Sequence, residues 1–206
     1  MTMADPRADI VALLFSARRL PRALTGLPVV EVADPTEIDA ASETARRLIV
    51  VGADSDLAAV LTRLLRTERL AVEVAHVSRR TAARTAQTGA AQRVPLIRDE
   101  TGQVLVGAAY WLPTDEARTI HGEGVVDDTV LFDGDVAGVL IEPIPTVPGL
   151  RARLLTSRLR PRRWVAGRAA QLGTTGAIVV RDGVPASRVV RRSTFYRHTE
   201  GWLRVS

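Results

Sequence analysis

Two aspartates one residue apart, Asp54 and Asp56, stand where a β-branched run meets an amphipathic stretch. The segment reads Leu48-Ile-Val-Val-Gly52-Ala53-Asp54-Ser55-Asp56-Leu57 and continues Ala-Ala-Val-Leu-Thr-Arg-Leu-Leu. That pattern is a strand, a turn of small residues and a helix that begins at once. The first N–H groups of such a helix have no partner inside it and attract phosphate. Gly52, Ala53, Ser55 and Asp56 are therefore candidate phosphate-binding residues. Asp54 and Asp56 could also cap the helix, hold a magnesium ion, or act as a base toward a hydroxyl. Capping by Asp54 is the plainer use of the residue.

A second chemistry-bearing stretch is basic. Arg151, Arg153, Arg158, Arg160, Arg162, Arg163 and Arg168 surround Trp164, and Arg191 and Arg192 follow. Arginine binds phosphate in bidentate fashion, and tryptophan stacks on bases or sits at lipid interfaces. Arg151, Arg153, Arg160, Arg162, Arg163, Arg168 and Arg192 are candidate anion-binding residues. The bland use of the same arginines is to keep a strand edge solvated and unpaired. A third stretch is acidic: His121, Glu123, Asp127 and Asp128, with Asp133 and Asp135 beyond. It lacks calcium-loop spacing, and it reads as exposed loops and turns.

These residues sit in a chain of 206 residues with a net charge of +5 and no cysteine. Disulfide frameworks, thiolate metal sites and cysteine nucleophiles are excluded. The three histidines show no metal-ligand spacing, and no metal site is expected. No apolar run approaches the ~20 residues of a membrane helix. The expected location is the cytoplasm, with peripheral contact at the membrane left open. Charge is unevenly spread: residues 1–150 carry a net −6 and residues 151–206 a net +11. The basic part faces either an external anion or acidic surfaces of its own kind.

The elements that must position these residues change character along the chain. Strands are expected over Asp9–Phe15, Pro28–Val32, Leu48–Val51 and Leu70–Val77. Helices are expected over Pro35–Arg47, capped by Asp34 with Glu37 three positions on, and over Asp54–Arg66 and Arg80–Gln87. Such alternation makes an α/β half with a parallel sheet, residues 1–89. Residues 90–206 read as an all-β, sandwich-like half. Its hairpin turns are expected at Asp99-Glu100-Thr101-Gly102, Asp133-Gly134-Asp135 and Asp182-Gly183, and Trp202–Val205 as its last strand.

Gly52-Ala53-Asp54-Ser55-Asp56 resembles the strand–Gly-Gly-Asp-Gly-Thr–helix signature of the diacylglycerol kinase, bacterial lipid kinase and NAD kinase superfamily. Gly167-Arg168-Ala169-Ala170-Gln171-Leu172-Gly173, followed by Val180-Arg181-Asp182-Gly183, resembles the late strands that lead to that family's Asp-Gly-Glu. The order of the two halves agrees as well. The resemblance implies a nucleotide-binding α/β domain followed by a β-sandwich, with ATP and magnesium as cofactors. It implies catalytic roles for Asp54 and Asp182 and a phosphate contact at Thr81.

The departures are specific. Ala53 replaces the second glycine, and Ser55-Asp56 replaces Gly-Thr. The Pro-x-Gly-Thr-x-Asn position reads Val77-Ser78-Arg79-Arg80-Thr81-Ala82, and the glutamate of Asp-Gly-Glu is Val184. The opening Asn-Pro-x-Ser-Gly position reads Phe15-Ser16-Ala17-Arg18-Arg19. Phosphoryl transfer needs magnesium, a phosphate cradle and a positioned hydroxyl together. The leading expectation is thus a degenerate lipid-kinase-like protein that binds a phosphorylated ligand, a nucleotide or an anionic lipid, with weak or no transfer. Two alternatives stay open: a non-catalytic adaptor that assembles through its acidic and basic surfaces, and an active lipid or nucleotide kinase using Asp54 and Asp182.

Overall fold

A computed structural model describes residues 9–16, 18–79, 82–155 and 163–206. The chain divides into two compact units, residues 1–94 with 200–206, and residues 95–199.

The first unit is a six-stranded sheet with helices. Its strands β1 (Ile10–Leu14), β2 (Val29–Glu31), β3 (Arg47–Val51) and β4 (Glu73–His76) are all parallel, in the order β2-β1-β3-β4. β1 and β3 are buried along their whole length, which is why they read as continuous apolar runs. Helix α1 (Pro35–Thr44) begins at Asp34, whose carboxylate accepts the Thr36 N–H at 2.8 Å. Glu37 reaches back to the Asp34 N–H at 3.0 Å, which completes the N-terminal cap. Helix α2 (Asp54–Arg66) buries Leu57, Val60, Leu61 and Leu64 on one stripe. Helix α3 (Ala83–Thr88) follows β4.

Helix α1 stops at Thr44, three residues short of the expected Arg47. The cause is Arg47 itself, which opens β3 and is buried. Its guanidinium pairs with Glu73 at 2.6 Å and donates to the carbonyls of Ala86, Gln87 and Gly89. One buried cation thereby joins β3 and β4 and satisfies carbonyls at the end of α3, which have no partner inside the helix.

Trp202–Val205 forms the chain's last strand, β17, but not in the all-β half. It inserts between β4, parallel, and β5 (Ala91–Val94), antiparallel. The first sheet is thus completed by the last residues of the chain.

The second unit is built from antiparallel strands. β6 (Ile97–Asp99) and β7 (Val104–Leu105) turn through Gly102, as expected. β8 (Ala109–Leu112), β11 (Val139–Pro143), β12 (Leu150–Leu154) and β13 (Val165–Gly167) lie side by side, in the order β13-β12-β11-β8. The 13-residue β14 (Ala169–Arg181) belongs to two sheets. Its second half pairs with β8 and with β15 (Val184–Pro185), and its first half pairs with β9 (Ile120–Val126) and β16 (Val190–Arg197). Its pairing shifts between Gly173 and Ala177, where the strand passes from one sheet to the other. The two sheets enclose Trp111 and Phe195, and Trp111 Nε1–H donates to the buried Ser193 hydroxyl at 3.0 Å.

The Asp133-Gly134-Asp135 hairpin is corrected. These residues lie inside β10 (Thr129–Val136), and the turn back from β9 is Asp127-Asp128. Phe132 must reach the core, so Asp133 and Asp135 take the exposed positions of an alternating strand.

Arg47→Ala should lower stability in urea by about 2–4 kcal/mol, because it leaves the carbonyls of Ala86, Gln87 and Gly89 without their donor and removes one of the two arginines paired with the half-buried Glu73. Arg93→Ala, which breaks an exposed pair with Glu200 and an exposed hydrogen bond to the Gly201 carbonyl, should cost only about 0–1 kcal/mol. The Arg63 guanidinium holds the Asp39 carboxyl below its ordinary value of 3.8. A carboxylate with a lowered folded-state pKa contributes stability above its unfolded value and loses it as pH falls through the lowered one. Asp39→Asn should therefore flatten the acid limb of a stability-against-pH curve below about pH 4.

Candidate functional site

The strand order of the first sheet locates a site by itself. From β1 the chain crosses to β2 on one side, and from β3 it crosses to β4 on the other. Connections leaving adjacent parallel strands in opposite directions open a crevice at the C-terminal ends of those strands. Here those ends are Leu14-Phe15-Ser16 after β1 and Gly52-Ala53 after β3. The Phe15 N–H donates to the Val51 carbonyl at 3.3 Å and the Val77 N–H to the Val50 carbonyl at 2.8 Å, so the three strands end level.

At this edge the expected phosphate turn holds something else. The Ala53 N–H donates to Asp56 Oδ2 at 2.7 Å. An amide expected for a phosphate already carries a carboxylate from the third residue of its own helix. This is half of a capping box, the acid that reaches back, while Ala53 supplies no side-chain oxygen. Gly52 is a consequence of it: a Cβ there would lie 2.5 Å from Asp56 Oδ2. Ser55 is half-buried in the first turn of α2, and Asp54 beside it is exposed.

The structure adds a residue that the sequence reading passed over. His76 ends β4 directly beside Val50 of β3. Its Nε2 lies 3.1 Å from the Gly52 carbonyl oxygen, and its Nδ1 lies 3.7 Å from Asp54 Oδ1. A usable signal existed: a polar residue at the C-terminal end of a strand expected to neighbour Leu48–Val51. Exposed arginines leave the same edge, Arg18 and Arg19 after β1 and Arg79 after β4. None of the three has an acidic partner among the described residues.

The other candidate residues are dispersed. Asp182 belongs to the second unit, in the turn between β14 and β15. Its carboxylate accepts the N–H groups of Val106, Gly107 and Ala108 at 3.1, 2.6 and 3.2 Å. That engagement anchors the turn to the segment between β7 and β8. Arg151 and Arg153 share one face of β12 and both lie over the Trp164 ring, at 4.1 and 4.6 Å from its centroid. Arg151 also donates twice to Glu142. Arg163 and Arg168 are exposed. Arg192 is exposed on β16, opposite Gly173 and in the other sheet from β12. The arginines therefore do not form one cluster. Thr81, Arg160 and Arg162 lie outside the described residues. Among the described residues no three His, Asp or Glu side chains come together as a metal site. No helix among them is long and apolar enough to cross a membrane.

The fold is that of known kinases. A putative diacylglycerol kinase from Bacillus anthracis str. Sterne superimposes with a TM-score of 0.73 at 12% identity, over 98% of each chain. An NAD kinase from Archaeoglobus fulgidus in complex with ATP gives 0.65 at 13% identity, over 96% of this chain and 93% of that one. No family model matches the sequence, and no curated protein does. At such identities the likeness carries the α/β-then-β-sandwich architecture, and the chemistry must be read from this chain's own residues.

The Gly52–Asp56 contact has a direct test. Gly52→Ala should lower the melting temperature, with a cost of about 1–3 kcal/mol from the forced contact. Adding Asp56→Ser to that variant should recover most of the loss, which a thermal double-mutant cycle would read.

Proposed function

We propose that this chain is a nucleotide-binding protein with a kinase fold that transfers phosphoryl groups weakly or not at all. The observation that carries this reading is the Asp56 carboxylate on the Ala53 amide. A phosphate approaching the start of α2 meets a fixed negative charge at the first amide it would use. One amide of the cradle that in-line transfer requires is thus occupied from within. Asp182, the second candidate for catalysis, spends its carboxylate on three backbone amides.

The same edge still supports a phosphorylated ligand. Arg18, Arg19 and Arg79 are exposed and follow β1 and β4, the strands on either side of β3, and guanidinium groups bind phosphate oxygens in pairs. In this arrangement the phosphates lie against the arginines, and the exposed Asp54 carboxylate accepts a hydroxyl. Binding then falls steeply with salt, since it rests on screened surface charges.

Isothermal calorimetry with ATP at low and moderate salt tests the reading. ATP should bind, Arg18→Ala with Arg19→Ala should weaken it by about tenfold or more, and labelled ATP should give no transfer to diacylglycerol or NAD above background. Absence of ATP binding at millimolar concentration removes the reading, and rapid transfer removes the claim of lost catalysis.

A second observation favours an anionic lipid surface as a further partner, contacted by the second unit. Arg153 stacks on Trp164 and has no acidic partner among the described residues, and its buried Nε is unbonded. Trp111 and Trp202 are buried, so a change in tryptophan emission reports on the half-buried Trp164. Vesicles containing phosphatidylglycerol should shift that emission, salt should reverse the shift, and neutral vesicles should leave it unchanged. A shift that survives Trp164→Phe would exclude this contact.

A further inference from the structure

The peptide unit between Gly52 and Ala53 is held at both of its polar ends. Its carbonyl oxygen faces His76 Nε2 at 3.1 Å, and its N–H donates to Asp56 Oδ2 at 2.7 Å. A trans peptide points these two groups in opposite directions. The imidazole, from the sheet, and the carboxylate, from the helix, therefore fix one plane between them. To donate to a carbonyl, Nε2 must carry the ring proton, and neutral His76 then has a lone pair on Nδ1. That atom faces Asp54 Oδ1 at 3.7 Å, too long for a hydrogen bond. The His76 side chain is 18% exposed and that of Asp54 is 54% exposed, so the ring is the fixed partner and the carboxylate the accessible one.

We infer that His76 is a specificity-determining positioning residue. By locking the Gly52–Ala53 peptide with its N–H on Asp56, it makes the start of α2 a receiver of hydroxyl groups rather than of phosphate. This rests on the nucleotide reading above and deepens it. Beside the locked turn lie the Asp54 carboxylate and the Nδ1 lone pair, both acceptors, and Asp56 already occupies the Ala53 amide. These groups accept from a hydroxyl and repel an anion. Without the imidazole, the peptide plane is free to rotate, the Ala53 N–H leaves Asp56, and the turn regains a donor. No residue at this turn other than His76 holds the carbonyl end of that peptide among the described contacts.

The test compares the wild type with His76→Gln, whose side-chain amide can still donate to the Gly52 carbonyl, and with His76→Leu, which cannot. Nitrogen-15 NMR reads the His76 tautomer and the Ala53 amide. ADP and 2′,3′-dideoxy-ADP, compared by calorimetry, read the preference for a hydroxyl. Expected are the Nε2–H tautomer, an Ala53 amide unchanged in His76→Gln and moved in His76→Leu, and about tenfold preference for ADP in the wild type and His76→Gln. That preference should fall toward one in His76→Leu. An Nδ1–H tautomer overturns the inference, as does His76→Leu with both the Ala53 amide and the ADP preference intact. If neither nucleotide binds any variant, the nucleotide reading fails, while the tautomer and the Ala53 amide still decide whether His76 locks the turn. If His76→Leu does not fold, the tautomer and His76→Gln carry the decision.

Discussion

The hydrogen bond from the Ala53 amide to Asp56 is the contact on which the geometry of the turn after β3 depends. It admits only glycine at position 52, because a Cβ would enter the carboxylate. It caps α2, the longest helix among the described residues, at its first free amide. It also sets the sign of the site. Helix N-termini are positive and draw anions, and here the anion is covalently attached. A tethered carboxylate pays no translational entropy on binding, so a free phosphate competes with it poorly.

The same fold can therefore house different chemistry through a few side chains. This chain has a switch point between β1 and β3, a strand–turn–helix after β3 and a β-sandwich that follows. At its turn the Ala53 donor is spent on Asp56, and His76 faces the carbonyl end of the same peptide. Fold likeness at 12–13% identity is compatible with this, since packing constrains apolar faces and leaves polar rims to vary.

Unit one is also bound together by contacts far apart in sequence. Arg47 reaches the carbonyls of Ala86, Gln87 and Gly89, and β17 pairs with β4 and β5 across more than a hundred residues of sequence. Parallel pairings of this separation cost loop-closure entropy before they return contacts. The central strands β1 and β3, buried on both faces, supply the apolar area that offsets it.

The features legible in the residues alone are local. The Asp34 and Glu37 cap, the apolar stripe of Asp54–Arg66, the Gly102 turn and the Asp182-Gly183 turn are each encoded within a few residues, where one helical or strand period suffices to identify them. The α/β-then-all-β order is legible for the same reason. Which side chains face one another emerges only from the folded chain. It placed Trp202–Val205 in the first sheet, gave the Asp182 carboxylate to the amides of residues 106–108, set Asp133 and Asp135 within a strand, and brought His76 to Gly52 and Asp54. Periodicity reports which face of an element is apolar. It carries no record of the strand beside it, because strand order is chosen by the summed burial of the whole sheet.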